Sequence, residues 1–258
     1  VVRAVRRIAP WNISIAVCAS VGEKQSCPCR CAYGILKNPM SNPSQLQGEQ
    51  ARGCRVDATA KPQSPALDTL LKDIRACRLC ASHLPHGPRP ILHVSETAHL
   101  CIVSQAPGLR VHETGLSFND RSGDRLREWM AIDKTGFYDQ TKIAIVAMAF
   151  CFPGYNSQGH DLPPRRECAK TWRMQLFEAL PVFPLTLLVG SYAQDWHLGS
   201  DAKETLTETV RAWREYAPRY IPLPHPSWRN TGWLKNNPWF EEDLLPYVRR
   251  RVSDTLSS

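Results

Sequence analysis

The chain has 258 residues, 43% of them apolar and 22% charged, with a formal net charge of +8. That length and apolar content can supply the core of one large domain or two small ones, and no run of 18 apolar residues occurs, so no membrane span is expected. Residues 1–60 hold eight Lys or Arg against three Asp or Glu, so the rest is near neutral. It carries no footprint of non-specific nucleic-acid binding unless local patches supply one.

Residues 1–62 come first and read as a disordered or mis-assigned extension. Arg3, Arg6 and Arg7 precede an apolar stretch, Trp11–Val21, that superficially resembles a signal peptide. It is short and interrupted by Asn12 and Ser14, so secretion is not the expectation. CPCRC at Cys27–Cys31 could bind a soft metal, although a tail is the favoured reading, and Met40 is an alternative beginning.

A single domain is expected over residues 63–252. Ser64-Pro65 opens a helix as N-cap and first-turn proline, and Leu67, Leu70, Leu71 and Ile74 form its apolar stripe. Cys77 and Cys80 close it before the Pro/His-rich loop Pro85–Pro90. Leu100–Gly108, LCIVSQAPG, begins as a strand and must turn at Pro107-Gly108. Asp120–Met130 reads as an amphipathic helix and Lys142–Phe150 as a second strand. The loop CFPGYNSQGHDLPPRREC then enters a helix running to about Leu180. Pro184–Gly190 is a third strand, Asp201–Tyr216 a helix with Leu206, Val210 and Trp213 on one side, and Tyr220–Leu223 a short fourth strand. Trp239–Val252 is the closing helix, and residues 253–258 fray.

Strands alternating with helices predict a three-layer α/β/α sandwich around a four-stranded parallel sheet. Ligands in such folds sit beyond the carboxyl ends of the strands, where QAPG, CFPG, GSY and HPSW all fall.

SQAPG, GLSF at Gly115–Phe118 and HPS at His225–Ser227 resemble, in order and spacing, the motifs of the uracil-DNA glycosylase superfamily. The similarity is greatest to its bacterial and archaeal iron-sulfur branch and covers roughly Leu67 to Val252. It implies a monofunctional base-excision enzyme that flips a deaminated base out of DNA, hydrolyses its N-glycosidic bond and leaves an abasic site. Uracil-containing DNA is the implied partner, and a monomeric, cytoplasmic bacterial protein the implied setting.

By the resemblance Phe118 stacks on the flipped base, and His225 donates to its carbonyl oxygen as negative charge develops. Gln105 lies at the base of the pocket, and Ser227 belongs to the loop that grips phosphate. Trp228, Arg229 and Lys235 mix basic and aromatic character beside that loop, and Arg165 and Arg166 are further phosphate candidates. Two positions depart from the family. Ala106 stands where the best-known branch has its water-activating aspartate, and the acidic pair of the iron-sulfur branch is matched by Val111-His112, followed by Glu113. Glu113 or His112 could orient the water instead. Ala147 stands where an asparagine reads the uracil edge, and Asn119 could substitute from across the pocket, so a broader base specificity is expected.

Ten cysteines are many for a cytosolic enzyme, but a chain of this length with an α/β pattern needs no disulfide framework. Cys101, inside a strand, reads as a small buried hydrophobe. Cys77, Cys80, Cys151 and Cys168 have nearly the spacing of the ligands of the family's [4Fe–4S] cluster, which would be structural; zinc or four free thiols are the alternatives. From other functional classes, a non-catalytic DNA-binding module on the same fold competes, as does a small-molecule enzyme acting on nucleosides.

Overall fold

The computed structural model describes residues 64–257, all of which belong to one compact unit. The readings for residues 1–62, including CPCRC and the start at Met40, lie outside the described residues.

Four parallel strands form the central sheet: β1 (Leu100–Ser104), β2 (Ile143–Ala147), β3 (Leu185–Val189) and β4 (Tyr220–Leu223), in the order β2-β1-β3-β4. Apart from the first residue of β4 every strand position is buried, as expected where helices cover both faces of a parallel sheet. Alternation along the strands divides the core. Cys101, Val103, Ala144, Val146 and Leu188 face one layer, with Leu67, Leu71 and Ile74 of the Pro65–Ala76 helix. Leu100, Ile102, Ile145, Leu187 and Ile221 face the other, with Leu126, Trp129, Phe240 and Val248. The β2 edge does not stay open: His93 and Ile145 exchange backbone hydrogen bonds, and Ile91 N–H donates to the Phe150 carbonyl.

Helix starts follow their caps. Ser64 Oγ accepts from Leu67 N–H and Pro65 occupies the first turn. Asp120 caps Arg121–Met130 by accepting from Gly123 N–H at 2.9 Å. The helix expected from Asp201 starts later, at Leu206, because Thr205 and Glu208 form a reciprocal capping box. It is also split, into Leu206–Arg211 and Trp213–Tyr216. The closing helix, Leu245–Leu256, continues past Val252 because Thr255 is buried too. Two short helices, Leu109–Thr114 and Ser191–Leu198, have no counterpart in the sequence reading; each is too short or too weakly striped to show periodicity.

The connection from β1 leads to β2 on one side, while that from β3 leads to β4 on the other. Their carboxyl ends therefore diverge, which opens a crevice between β1 and β3. Among the described residues no helix is long and apolar enough to cross a membrane.

Candidate active site

At this carboxyl edge a cavity of about 520 Å³ is lined by Ser104, Ala106, Pro107 and Gly108 after β1, Phe118, Asp120, Ala147 after β2, Asp161 and His225. The turn that makes room for it is built locally. Gly108 caps the Leu109–Thr114 helix, and Gly115 ends it in the left-handed region at φ +72. Phe118 also has positive φ, +55, which is costly for an aromatic residue and sets its ring into the wall. A β-carbon on Gly123 would lie 1.7 Å from the Phe118 carbonyl oxygen, so glycine is required there for Phe118 to hold its place. The ring meets Phe137 edge-on at 6.1 Å.

His225 follows β4. Asn230 Nδ2 donates to its carbonyl at 2.7 Å, and Arg125 Nη1 donates to the Ser227 carbonyl at 2.9 Å, so the PHPSW loop is clamped at two points. Burial pushes the imidazole below its ordinary pKa, while Asp120 and Asp161 pull the other way. The net effect is a neutral ring at neutral pH. Gln105 is not among the residues lining the cavity; its Oε1 and the β-carbon of His225 lie 3.6 and 3.8 Å from where a β-carbon on Gly190 would be, and the φ of +88 there suits glycine.

The cavity opens into a groove of about 1490 Å³ lined by Arg110, Asn119, Arg121, Lys134, Ser227, Trp228 and Arg229, with Asp120, Ser122, Asp161 and His225 at the junction. Trp228 is 66% exposed, beside the guanidinium of Arg229 at 5.7 Å, so it is not the core residue it could have been.

The sequence candidates therefore separate. Phe118, His225, Ala106 and Ala147 meet in the cavity, and Asn119, Ser227, Trp228 and Arg229 lie along the groove. Asn119 lines the groove but not the cavity; its carbonyl accepts from Arg110 Nε at 2.7 Å. His112 and Glu113 line neither. His112 packs with His86 and Phe152, its pKa lowered by burial and by Arg89, and Glu113 is exposed. Arg165 pairs with Glu167 and, with Arg166, lines a different depression beside Pro163 and Tyr192. Lys235 sits in the last turn of the Thr231–Asn236 helix, off the groove lining. Sequence reasoning passed over Asp161, Arg110, Arg121 and Lys134. Asp120 it took only as a helix start. The polar run GHD before Leu162 was the available signal for Asp161.

The metal expectation is corrected. Among the described residues no group of three or more His, Cys, Asp or Glu side chains is placed to hold a metal ion. Cys77, Cys80, Cys151 and Cys168 line one apolar pocket with Ile74, Leu84, Phe150 and Trp172, but as free cysteines. Burial raises the thiol of Cys151 to about 11 and that of Cys168 to about 12, and raises Cys80 as well. Two of the sulfurs already accept hydrogen bonds, Cys77 from the Trp172 indole at 3.3 Å and Cys168 from Phe150 N–H at 3.4 Å. The [4Fe–4S] cluster, the zinc alternative and the placement in the iron-sulfur branch therefore fall. Cys101 is a buried strand residue, its thiol raised to about 12 by burial.

A family model described as the uracil DNA glycosylase superfamily matches residues 93–249, from the segment beside β2 into the closing helix. The match spans more than half of the chain and contains every residue lining the groove and, apart from Ile91, every residue lining the cavity. The chain belongs to the uracil DNA glycosylase superfamily, whose fold is the four-stranded parallel sandwich seen here.

Proposed function

We propose that the protein is a base-excision DNA glycosylase that hydrolyses the N-glycosidic bond of uracil, and of at least one other deaminated base, leaving an abasic site. The observation that carries this reading is the cavity lined by Phe118 and His225, opening directly into a groove lined by Arg110, Arg121, Lys134 and Arg229. A duplex hides the reacting atom, so chemistry on a base needs a pocket beside a surface that holds phosphate. Phe118 offers a flat face for a flipped base, with stacking worth about 1–3 kcal/mol in comparable platforms. His225, neutral and fixed by its clamped loop, donates to the base oxygen as charge arrives there. Ala147 lines the cavity where it can make no side-chain hydrogen bond, and the hydroxyls of Ser104 and Ser117 read edges less selectively than an amide would.

The test is a panel of oligonucleotides bearing uracil, hypoxanthine, xanthine or thymine, single- and double-stranded, scored for abasic sites by alkali or heat. Uracil release and release of a second deaminated base are expected. His225→Ala should slow the chemical step about 10²–10³-fold with a smaller effect on DNA affinity. Tight binding of abasic DNA without release of any base would replace this reading with a non-catalytic binding module. Activity on free deoxyuridine but not on DNA would replace it with a nucleoside enzyme.

A further inference from the structure

We infer that Tyr138 is a positioning residue for the reaction: its hydroxyl locks the peptide between Ser117 and Phe118, and so holds the Phe118 ring where a flipped base stacks. The inference rests on the glycosylase reading above and adds a residue to that site. Ser117 and Phe118 both line the cavity, and Phe118 has φ +55. An aromatic residue keeps such an angle only where its surroundings over-determine it. The strain has one short route of relief. Turning over the Ser117–Phe118 peptide plane carries the φ of Phe118 out of the left-handed region and reverses the Ser117 carbonyl. That carbonyl accepts from the Tyr138 hydroxyl at 2.9 Å, so the flip must break this bond. The strain and the net worth of one neutral hydrogen bond are of the same order, so a single hydroxyl can decide which way the peptide faces. Tyr138 is not among the residues lining the cavity or the groove, so its influence on the reaction passes through Ser117 and Phe118.

Tyr138 is itself anchored. It follows the short Lys134–Phe137 helix, which Asp133 starts by accepting from Gly136 N–H at 2.7 Å, and Tyr138 N–H donates to the Lys134 carbonyl at 3.3 Å. Phe137 meets the Tyr138 ring edge-on at 5.1 Å and the Phe118 ring edge-on at 6.1 Å. Consecutive residues of one element thus support Phe118, Phe137 through the ring and Tyr138 through the backbone. The next peptide is held as well: Arg127 Nη1 donates to the Phe118 carbonyl at 3.4 Å, and its Nη2 donates to Asp124 Oδ1 at 2.6 Å. The same guanidinium lies 5.2 and 5.8 Å from the ring centres of Phe137 and Tyr138. Arg127 is 9% exposed, so truncating it would open the core. The Tyr138 hydroxyl can be removed with its ring left in place, which makes it the group to test.

Tyr138→Phe in the full chain tests this. Single-turnover release of uracil from duplex DNA at saturating enzyme should fall about 3–10-fold, while affinity for an abasic-site analogue stays within about twofold. A duplex carrying uncleavable 2′-fluorodeoxyuridine should lose part of its preference over the abasic analogue, because only the former presents a base to stack. In a Phe118→Leu background, which keeps an apolar side chain beside Phe137 but no aromatic face, the same change should cost less than about twofold in rate. A hydroxyl that only stabilised the fold would cost the same in both backgrounds. That result overturns the inference, as does a Tyr138→Phe variant with the wild-type rate. Should Phe118→Leu fail to fold, the 2′-fluorodeoxyuridine preference decides, and a preference unchanged by Tyr138→Phe overturns it. If the wild type releases no base at all, the glycosylase reading falls and this one with it. An active wild type with an unimpaired Tyr138→Phe removes the Tyr138 role alone.

Discussion

Phe118 shows how a single backbone angle shapes the site. Its φ of +55 exists because the chain must leave the Gly115 turn and enter the Asp120 cap within a few residues. Its carbonyl then lies against the bare α-carbon of Gly123, 1.7 Å from where a methyl would be. Gly123→Ala should therefore destabilise the protein by about 1–3 kcal/mol, the usual cost of overpacking. It should also slow base release, because relief of the clash moves Phe118 off the cavity wall. Urea unfolding and single-turnover rates measured together check this. An alanine variant of wild-type stability and rate would mean that the Phe118 carbonyl has room to retreat. In a helix with no such neighbour the same substitution would stabilise, by about 1 kcal/mol.

At the scale of elements, the helices behind the sheet hide an unusual charge. Arg173 is fully buried at the end of a π-helical stretch, Ala169–Arg173, with no carboxylate beside it among the described residues. It lies over the rings of Trp196 and Phe177 at 4.5 and 4.9 Å, and its Nη1 donates at 2.8 Å to the carbonyl of Ala147, a cavity residue. Its Nη2 meets His197 Nε2 at 3.0 Å, and since arginine only donates, His197 is the neutral tautomer protonated at Nδ1. Burial and then Arg173 push His197 down to about 3, against 6.5 in an unfolded chain. The unfolded state thus binds the proton first, so the stability this group contributes is complete above pH 6.5 and is lost as pH falls from there towards 3. The loss should approach about 1.4 kcal/mol per pH unit from this group. His197→Gln keeps an acceptor for Arg173 without the titration, so its unfolding free energy should depend less on pH between pH 6.5 and about 4. Urea titrations across that range check it; parallel slopes would refute it.

For the whole molecule the question is where charge meets DNA. The groove collects Arg110, Arg121, Lys134 and Arg229, whereas Arg165 and Arg166 lie in another depression and Lys235 on the next helix. Arg229→Ala should weaken binding to uracil-bearing duplex and lower the slope of log affinity against log salt by about 1, since each phosphate contact contributes about 0.9. Arg166→Ala should leave that slope unchanged. Fluorescence anisotropy at several salt concentrations distinguishes the two, and equal effects would spread the interface over both depressions. Trp228→Ala should slow base flipping more than encounter, because the indole lines the groove 66% exposed, beside the guanidinium of Arg229.

The sheet was legible in the sequence because parallel strands buried on both faces must be short apolar runs, and LCIVS, LTLLV and YIPL end at a turn-forming Ser, Gly or Pro, while IAIVA runs on into more apolar residues before CFPG. Ser64-Pro65 and Asp120 announced their helices because capping is a contact between residues three apart, visible without any fold. The motif around Phe118 and His225 was legible for a related reason: its residues sit in the loops that such a sheet must place at one edge. Tertiary structure decided the rest. Whether four cysteines form a metal site depends on how their side chains converge, and among the described residues no group of three or more His, Cys, Asp or Glu side chains is placed to hold a metal ion, whatever their spacing in the sequence. Asp161 and the groove cations Arg110, Arg121 and Lys134 come from separate loops and helix starts, so no local pattern marks them. They become neighbours of His225 only when the sheet brings the ends of its strands to one side.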